Sequence, residues 1–366
     1  MRISDRYIGG QVLSGTLAAV VVLGVVLVLG NLFKEIRPLL VDQKAPAALV
    51  LRFVVNVLPM SLMYTVPWGF LSAVLLVFGR MSAHHEITAM RVAGTGLVRL
   101  AVPVFLIGLV LSFASLWLNS RVVPVSKATI AQLVYQQASR DPGSLLKPGV
   151  VQGNFRGDGN SELKVLIESG GQGRVAGFHL HKLPGKDGAA AYVHAREAAL
   201  AVDRAKGQLR LRLEDAFFEE RKADGRVETA IAGSAEPLLI DLQDPGKRRA
   251  RPGAMTNREI GRHLAENPGL APERALRFRT EVWKRVSFSM ASLAFAFVAV
   301  PLGMGARRRE TSAGLVWSLL IGAGYFLVSM VAGQAGSESA VLGLLWLPNL
   351  VCVVLGIWLF RRARFR

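Results

Sequence analysis

Lys34 and Arg37 stand three residues apart, which on a helix puts them on one face. A guanidinium fork beside a point-charge ammonium recognises phosphate or an anionic headgroup. The same pair at the end of a membrane helix also serves as snorkelling anchors. A second constellation is the stretch from Gly79 to Gly94, in which Glu86 is the one acid among Arg80 and Arg91. Ser82 is a candidate N-cap, and Glu86 falls where the helix dipole favours an anion. Ile87 and Met90 share a face, and Gly94 and Gly96 end the helix. The spacing predicts a short amphipathic helix over 82–93. Such a helix either rests on lipid headgroups or docks a cytoplasmic protein.

Other candidates for chemistry carry less. His179-x-His181 puts two imidazoles on one face of a strand, as a metal site does, but no cysteine or third histidine stands near them in sequence. No G-x-x-x-x-G-K-[ST] occurs, so an intrinsic ATPase is not expected. Glu168–Gly173 superficially matches the signature loop of ATP-binding-cassette ATPases, and without a P-loop it reads as a Gly-rich turn. The expectation is a chain with no catalytic residues, no metal and no cofactor of its own.

The elements that position these residues are dominated by six apolar runs near Gln11–Phe33, Phe53–Gly79, Leu100–Leu118, Val286–Gly305, Ala313–Gly333 and Val341–Phe360. Each is about the 20 residues a helix needs to cross a bilayer, and none contains Lys, Arg, Asp, Glu or His. That absence argues against a proton relay, an intramembrane metalloprotease or a pump with a midplane carboxylate. Polar residues such as Ser318, Ser329 and Asn349 read as helix–helix contacts. The first run is too long for a signal-peptide core and is followed by basic residues, so it is expected to stay as a helix.

The net charge of +18 suggests nucleic acid until the basic residues are placed. They cluster at Arg2 and Arg6, at Arg80, Arg91 and Arg99, at Arg307–Arg309 and at Arg361–Arg366. The opposite short segments hold only Lys34, Arg37, Lys44 and Arg52, with none in 334–340. This bias predicts both termini in the cytoplasm and the insert Asn119–Arg285 outside, and no nucleic-acid partner is expected. The single cysteine, Cys352, lies in the last run, so the insert has no disulfide and must be held by its own core.

Within the insert, Pro124–Ser139 reads as a helical extension of the third run, closed by Asp141-Pro142-Gly143. From Gly149 to Leu242 the pattern is strand-like. Leu209-Arg210-Leu211-Arg212-Leu213 alternates strictly. Glu162–Glu168, Val175–Leu183, Ala198–Val202 and Pro237–Leu242 are weaker candidates, and Gly/Asp/Asn turns between them suggest an antiparallel sandwich or partly open roll. Thr256-x-x-Glu259 is a capping box, and a further helix is expected from Pro272 through Trp283-Lys284-Arg285 into the fourth run.

At this point the whole chain resembles the lipopolysaccharide-export permeases of the LptF/LptG type. The resemblance rests on Asp5-Arg6-Tyr7-Ile8-Gly9, on Leu58-Pro59 and Pro67, and above all on Gly79-Arg80-Met81-Ser82 with Glu86-Ile87-Thr88-Ala89-Met90-Arg91-Val92-Ala93-Gly94. Trp283-Lys284 and Pro301-Leu302-Gly303 also fit. It departs in the residues after the third run, where only Arg121 and Lys127 are near, and in the two histidines before Glu86.

The resemblance implies a membrane α-helical fold with 3 + 3 spans and an inserted periplasmic β-jellyroll-like domain. Residues 1–118 would hold three spans and the coupling helix at 82–93, 119–253 the β-rich domain with its helical lead-in, 254–285 a helical connector and 286–366 the last three spans. It implies an inner-membrane permease subunit, not an enzyme, with ATP bound by a cytoplasmic ABC ATPase dimer. The other implied partners are a second LptF/LptG-type permease, a periplasmic bridge protein and lipopolysaccharide. Glu86, Ile87, Met90 and Arg91 would couple to the ATPase, Lys34 and Arg37 would face the lipid's phosphates, and the second and third spans would move as a rigid pair. The rival from another class is a mechanotransmitting membrane subunit that activates a periplasmic partner and transports nothing; an intramembrane enzyme fits least.

Overall fold

The computed structural model describes residues 3–35, 47–140, 149–156, 162–171, 174–182, 190–203, 208–221, 226–234, 238–241, 252–305, 313–332 and 337–364. The chain divides into two compact units, one of Met1–Ile36, Val50–Ala128 and Ala250–Arg366, the other of Arg37–Leu49 and Thr129–Arg249.

The first unit is helical. Its helices are α1 (Ile3–Glu35), α2 (Ala47–Ala83), the short α3 (Glu86–Val92), α4 (Leu97–Trp117), α5 (Val123–Arg140, which leads into the second unit), α6 (Asn257–Glu266), α7 (Pro272–Ser289), α8 (Ala291–Met304), α9 (Ala313–Ala332) and α10 (Glu338–Arg364). Among the described residues, five stretches are long and apolar enough to cross a membrane: Ile3–Asn31, Val50–Ala83, Leu97–Leu133, Pro272–Met304 and Glu338–Ala363. The sixth expected run forms α9, whose apolar part, Val316–Ala332, is shorter.

Local chemistry explains the joints. α4 and α5 form one continuous rod through a π-helical turn at Leu118–Val122. Pro124 has no N–H to give and its ring crowds the carbonyl four residues back; the wide turn relieves both. α7 and α8 meet at Met290, one residue past Ser289, whose hydroxyl donates back to the Arg285 carbonyl (2.7 Å) and so competes with the helical ladder. The freed Leu293 N–H donates to Ser112 Oγ on α4 at 3.2 Å. α6 opens with the expected box: Glu259 N–H donates to Thr256 Oγ1 (3.3 Å) and Thr256 N–H to Glu259 Oε2 (2.7 Å).

The second unit is an antiparallel sheet of β1 (Gln152–Arg156), β2 (Glu162–Gly171), β3 (Arg174–Lys182), β4 (Ala190–Asp203), β5 (Gln208–Arg221), β6 (Val227–Ser234) and β7 (Leu238–Asp241). The strands run in sequential order from β1 to β6, and β7 pairs with the first half of β5. From β1 to β6 the sheet is a meander, and β7 skips β6 to pair with β5; a separate antiparallel sheet is thus present, as the expected β-rich insert requires.

The strands are longer than the alternation predicts, for one reason. Gly177 and Asp215 adopt left-handed backbone (φ 62° and 49°), and the register steps over Glu168, Gly177, Arg196 and Asp215 in one line across β2 to β5. Beyond that line each strand reverses which parity faces inward. Val193 and Ala195 are buried before it and Ala198 after; Leu211 and Leu213 before it and Ala216 after. Phe178, fully buried, sits at the centre of the resulting core.

Candidate functional site

The candidate site is the joint where α3 meets the end of α2, the start of α4, the start of α1 and the end of α8. α2 runs on through Ser82 to Ala83, so Ser82 is not the N-cap that was expected. Its hydroxyl instead donates to the Met304 carbonyl at the end of α8 (2.9 Å). The chain turns at His84 and His85, where His85 takes a left-handed conformation (φ 60°) and caps α3 without a side-chain bond. α3 ends as a Schellman motif on Gly94 (φ 86°): Gly94 N–H donates to the Arg91 carbonyl and Thr95 N–H to the Met90 carbonyl, both at 2.9 Å. Gly96 then caps α4.

This geometry sorts the predicted coupling residues onto two faces. Ile87 is buried (7% exposed) in one cluster with Ile8, Val12, Met81 and Leu100, and Met90 packs against that cluster. Both therefore help fix α3 to the bundle, and Met90 stays partly exposed. Thr88, Ala89, Arg91 and Val92 face outward, and Val92 is 85% exposed. Glu86 lies at the edge between the faces.

Three further contacts tie the joint to its neighbours. Tyr7 Oη on α1 donates to Glu86 Oε2 at 3.0 Å. Arg80 Nη2 donates to Gln11 Oε1 on α1 at 2.6 Å. α8 approaches α2 so closely at Gly303 that an added Cβ would lie 2.7 Å from Phe78 Cβ. Ser82 was expected here only as an N-cap; Tyr7, Gln11 and Gly303 were not foreseen as parts of the site. Only the Asp5–Gly9 and Pro301–Gly303 motifs pointed towards them.

At the far end of α1, Lys34 lies in the helix's last turn. Its side chain, and Arg37 altogether, fall outside the described residues. The structure does bring a third histidine to His179-x-His181. His194 on β4 pairs with His179, their Nδ1 atoms 3.2 Å apart, and Tyr192 Oη lies 2.8 Å from the same His179 nitrogen. Among the described residues, however, no group of three or more His, Cys, Asp or Glu is arranged to hold a metal ion.

A further residue that sequence reasoning passed over is Arg285 on α7, only 5% exposed. Its Nη1 donates to the Met255 carbonyl and Asn257 Oδ1 (both 2.8 Å). Its Nη2 donates to the Pro252 carbonyl (2.9 Å) and to Glu281 Oε1 (3.3 Å). Glu281 one turn earlier was the available signal. Asn349 on α10 behaves as expected of a helix–helix contact, donating to the carbonyl and hydroxyl of Ser287 on α7 (3.0 and 2.9 Å).

Comparison with known families decides what this arrangement belongs to. The family described as "Lipopolysaccharide export system permease LptF/LptG" matches residues 6–362, nearly the whole chain. The chain belongs to the LptF/LptG family. No curated protein matches it. LptF/LptG proteins are permeases of the lipopolysaccharide export system, so the apolar helices are those of a transporter subunit, and the separate sheet is part of that permease. In this LptF/LptG permease the matched range takes in Tyr7, all of α3, Arg285 and Met304.

Proposed function

We propose that this chain is one permease subunit of an ATP-driven exporter that extracts lipopolysaccharide from the inner membrane. In this reading it pairs with a second LptF/LptG-type permease. A cytoplasmic ABC ATPase dimer supplies the energy, and the lipid passes through the sheet unit to a periplasmic bridge protein. In this reading α9 is a sixth span, its 20 residues sufficing for a bilayer, so both termini lie on one side of the membrane, taken to be the cytoplasm. The clustering of Arg6, Arg80, Arg91, Arg99, Arg361 and Arg362 on the α3 side supports that orientation.

The observation that carries the reading is the build of α3, together with the family match over 6–362. One face is anchored by Ile87 and Met90, while the other offers Arg91 and Val92 outward beside Glu86. A partner pressing on that face moves a helix already bonded to α1 through Tyr7 and joined through Ser82 and the end of α2 to α8. The push therefore reaches more than the α2–α4 pair that flanks α3 in sequence. Lys34 and Arg37 are the proposed contacts to the lipid's phosphates.

The test is a purified complex. A cytoplasmic ABC ATPase is expected to co-purify with the chain and to be lost on Glu86→Ala. Lipopolysaccharide is expected to photocrosslink to probes at the outer end of α1 and in the sheet while ATP is hydrolysed. Active hydrolysis with no crosslink at either place would sink the export reading and favour a non-transporting mechanotransmitter.

A further inference from the structure

Glu86 is the only acid between Arg80 and Arg99, yet among the described residues it forms no salt bridge. Its carboxylate instead accepts a hydrogen bond from the phenol of Tyr7, seventy-nine residues away on α1. Arg80 likewise bonds to a neutral group of α1, the Gln11 amide oxygen. Between these two polar contacts Ile8 and Val12, one turn apart, are fully buried in the cluster that contains Met81, Ile87 and Leu100. Tyr7, Ile8, Gln11 and Val12 thus place one helical face against the joint. Neutral partners orient the two charged groups without neutralising them. The carboxylate keeps its charge for a cation on whatever docks there, while its direction is set from α1.

We propose that Tyr7 is a positioning residue for Glu86, and that the Tyr7–Glu86 and Gln11–Arg80 pairs make the start of α1 one mechanical unit with the docking helix α3 and the end of α2. α1 keeps one face open, with Leu13, Leu17, Val21 and Val25 more than half exposed, while its other face packs on α2 at Gly15 and Val20 and on α4 at Gly9. A displacement of α3 is carried to α1 through its first turns. This inference rests on the reading of α3 as the ATPase-docking helix.

The experiment uses the whole complex reconstituted in proteoliposomes, with Tyr7→Phe removing the hydroxyl alone. The ATPase co-purifies as before, while lipopolysaccharide released per ATP falls about three- to ten-fold, the size of effect that single members of a coupling network have. In a Glu86→Gln background the same substitution adds nothing further. In a second variant, Gln11→Cys with Arg80→Cys, a short bis-maleimide joins α1 to α2; the chain's own Cys352 is buried. The linked complex keeps at least about half its release per ATP, because the two helices move together. Unchanged release on Tyr7→Phe, or loss of release on linking, overturns the proposal. If no ATPase binds the unsubstituted chain, the docking reading fails. The latch is still tested in that case, because Tyr7→Phe must raise amide exchange across Glu86–Ala93 at least about three-fold in the isolated chain; unchanged exchange overturns it.

Discussion

Replacing Arg285 by Leu keeps the volume of the stem and removes the guanidinium. Four acceptors then lose their donor in a nearly closed site: the Pro252 and Met255 carbonyls, Asn257 Oδ1 and the Glu281 carboxylate. The Arg285 side chain is 6% exposed and that of Glu281 23%, so water reaches the vacated site poorly. Breaking a buried ion pair from one side costs about 3–5 kcal/mol, because the remaining charge is left without compensation. All the acceptors outside α7 lie in the Pro252–Asn257 segment that leads into α6. The loss therefore falls on local docking of that segment against α7, not on the sheet. At 1.4 kcal/mol per decade, roughly 3 kcal/mol raises the opening constant about a hundredfold. Hydrogen–deuterium exchange of the Asn257–Glu266 amides reads this directly, and the loosened backbone lets trypsin cleave at the already exposed Arg258 and Arg262. Arg285→Lys is expected to fall between the two, since an ammonium cannot span acceptors that a planar fork reaches. Equal protection of α6 in the Arg285→Leu variant and the wild-type protein would refute the reasoning.

Three further outcomes follow from the joint and the far end of α1. Gly303→Ala presses a Cβ against Phe78 and is expected to cost about 1–3 kcal/mol, seen as a lower melting temperature in detergent; an unchanged melt would show that α2 and α8 can part at no cost. His85→Gly relieves a left-handed non-glycine residue and is expected to stabilise the turn by up to about 1 kcal/mol, read as slower amide exchange in α3; faster exchange contradicts the cap geometry. Lys34→Glu is expected to weaken the lipopolysaccharide photocrosslink at the outer end of α1 while leaving ATPase co-purification intact; an unaltered crosslink removes Lys34 from the lipid site.

The apolar runs announced their helices because a charge-free stretch of that length has few alternatives. The Thr256 box and the Pro272 start announced theirs because caps are local chemistry. The joint was harder to read. Ser82 has the right type and spacing for an N-cap, but it lies in the last turn of α2, and the actual break falls on two histidines with no turn signature. Ile87 and Met90 were rightly placed on one face. Which way that face points depends on Ile8 and Val12, more than seventy residues earlier. The sheet was read as fragments because its alternation reverses at Arg196 and Asp215, which cuts β4 and β5 each into two patterns of opposite phase. His194 was missed as a neighbour of His179 because cross-strand register is not written in either strand alone.

The central claim is that force applied at α3 is turned into lipid release. The direct measurement is lipopolysaccharide transferred to an acceptor per ATP hydrolysed, in proteoliposomes holding this chain with the proposed second permease and ATPase. The account predicts ATP-dependent transfer that Glu86→Ala abolishes along with ATPase binding. Vigorous ATP hydrolysis by the assembled complex with no transferred lipid would contradict it.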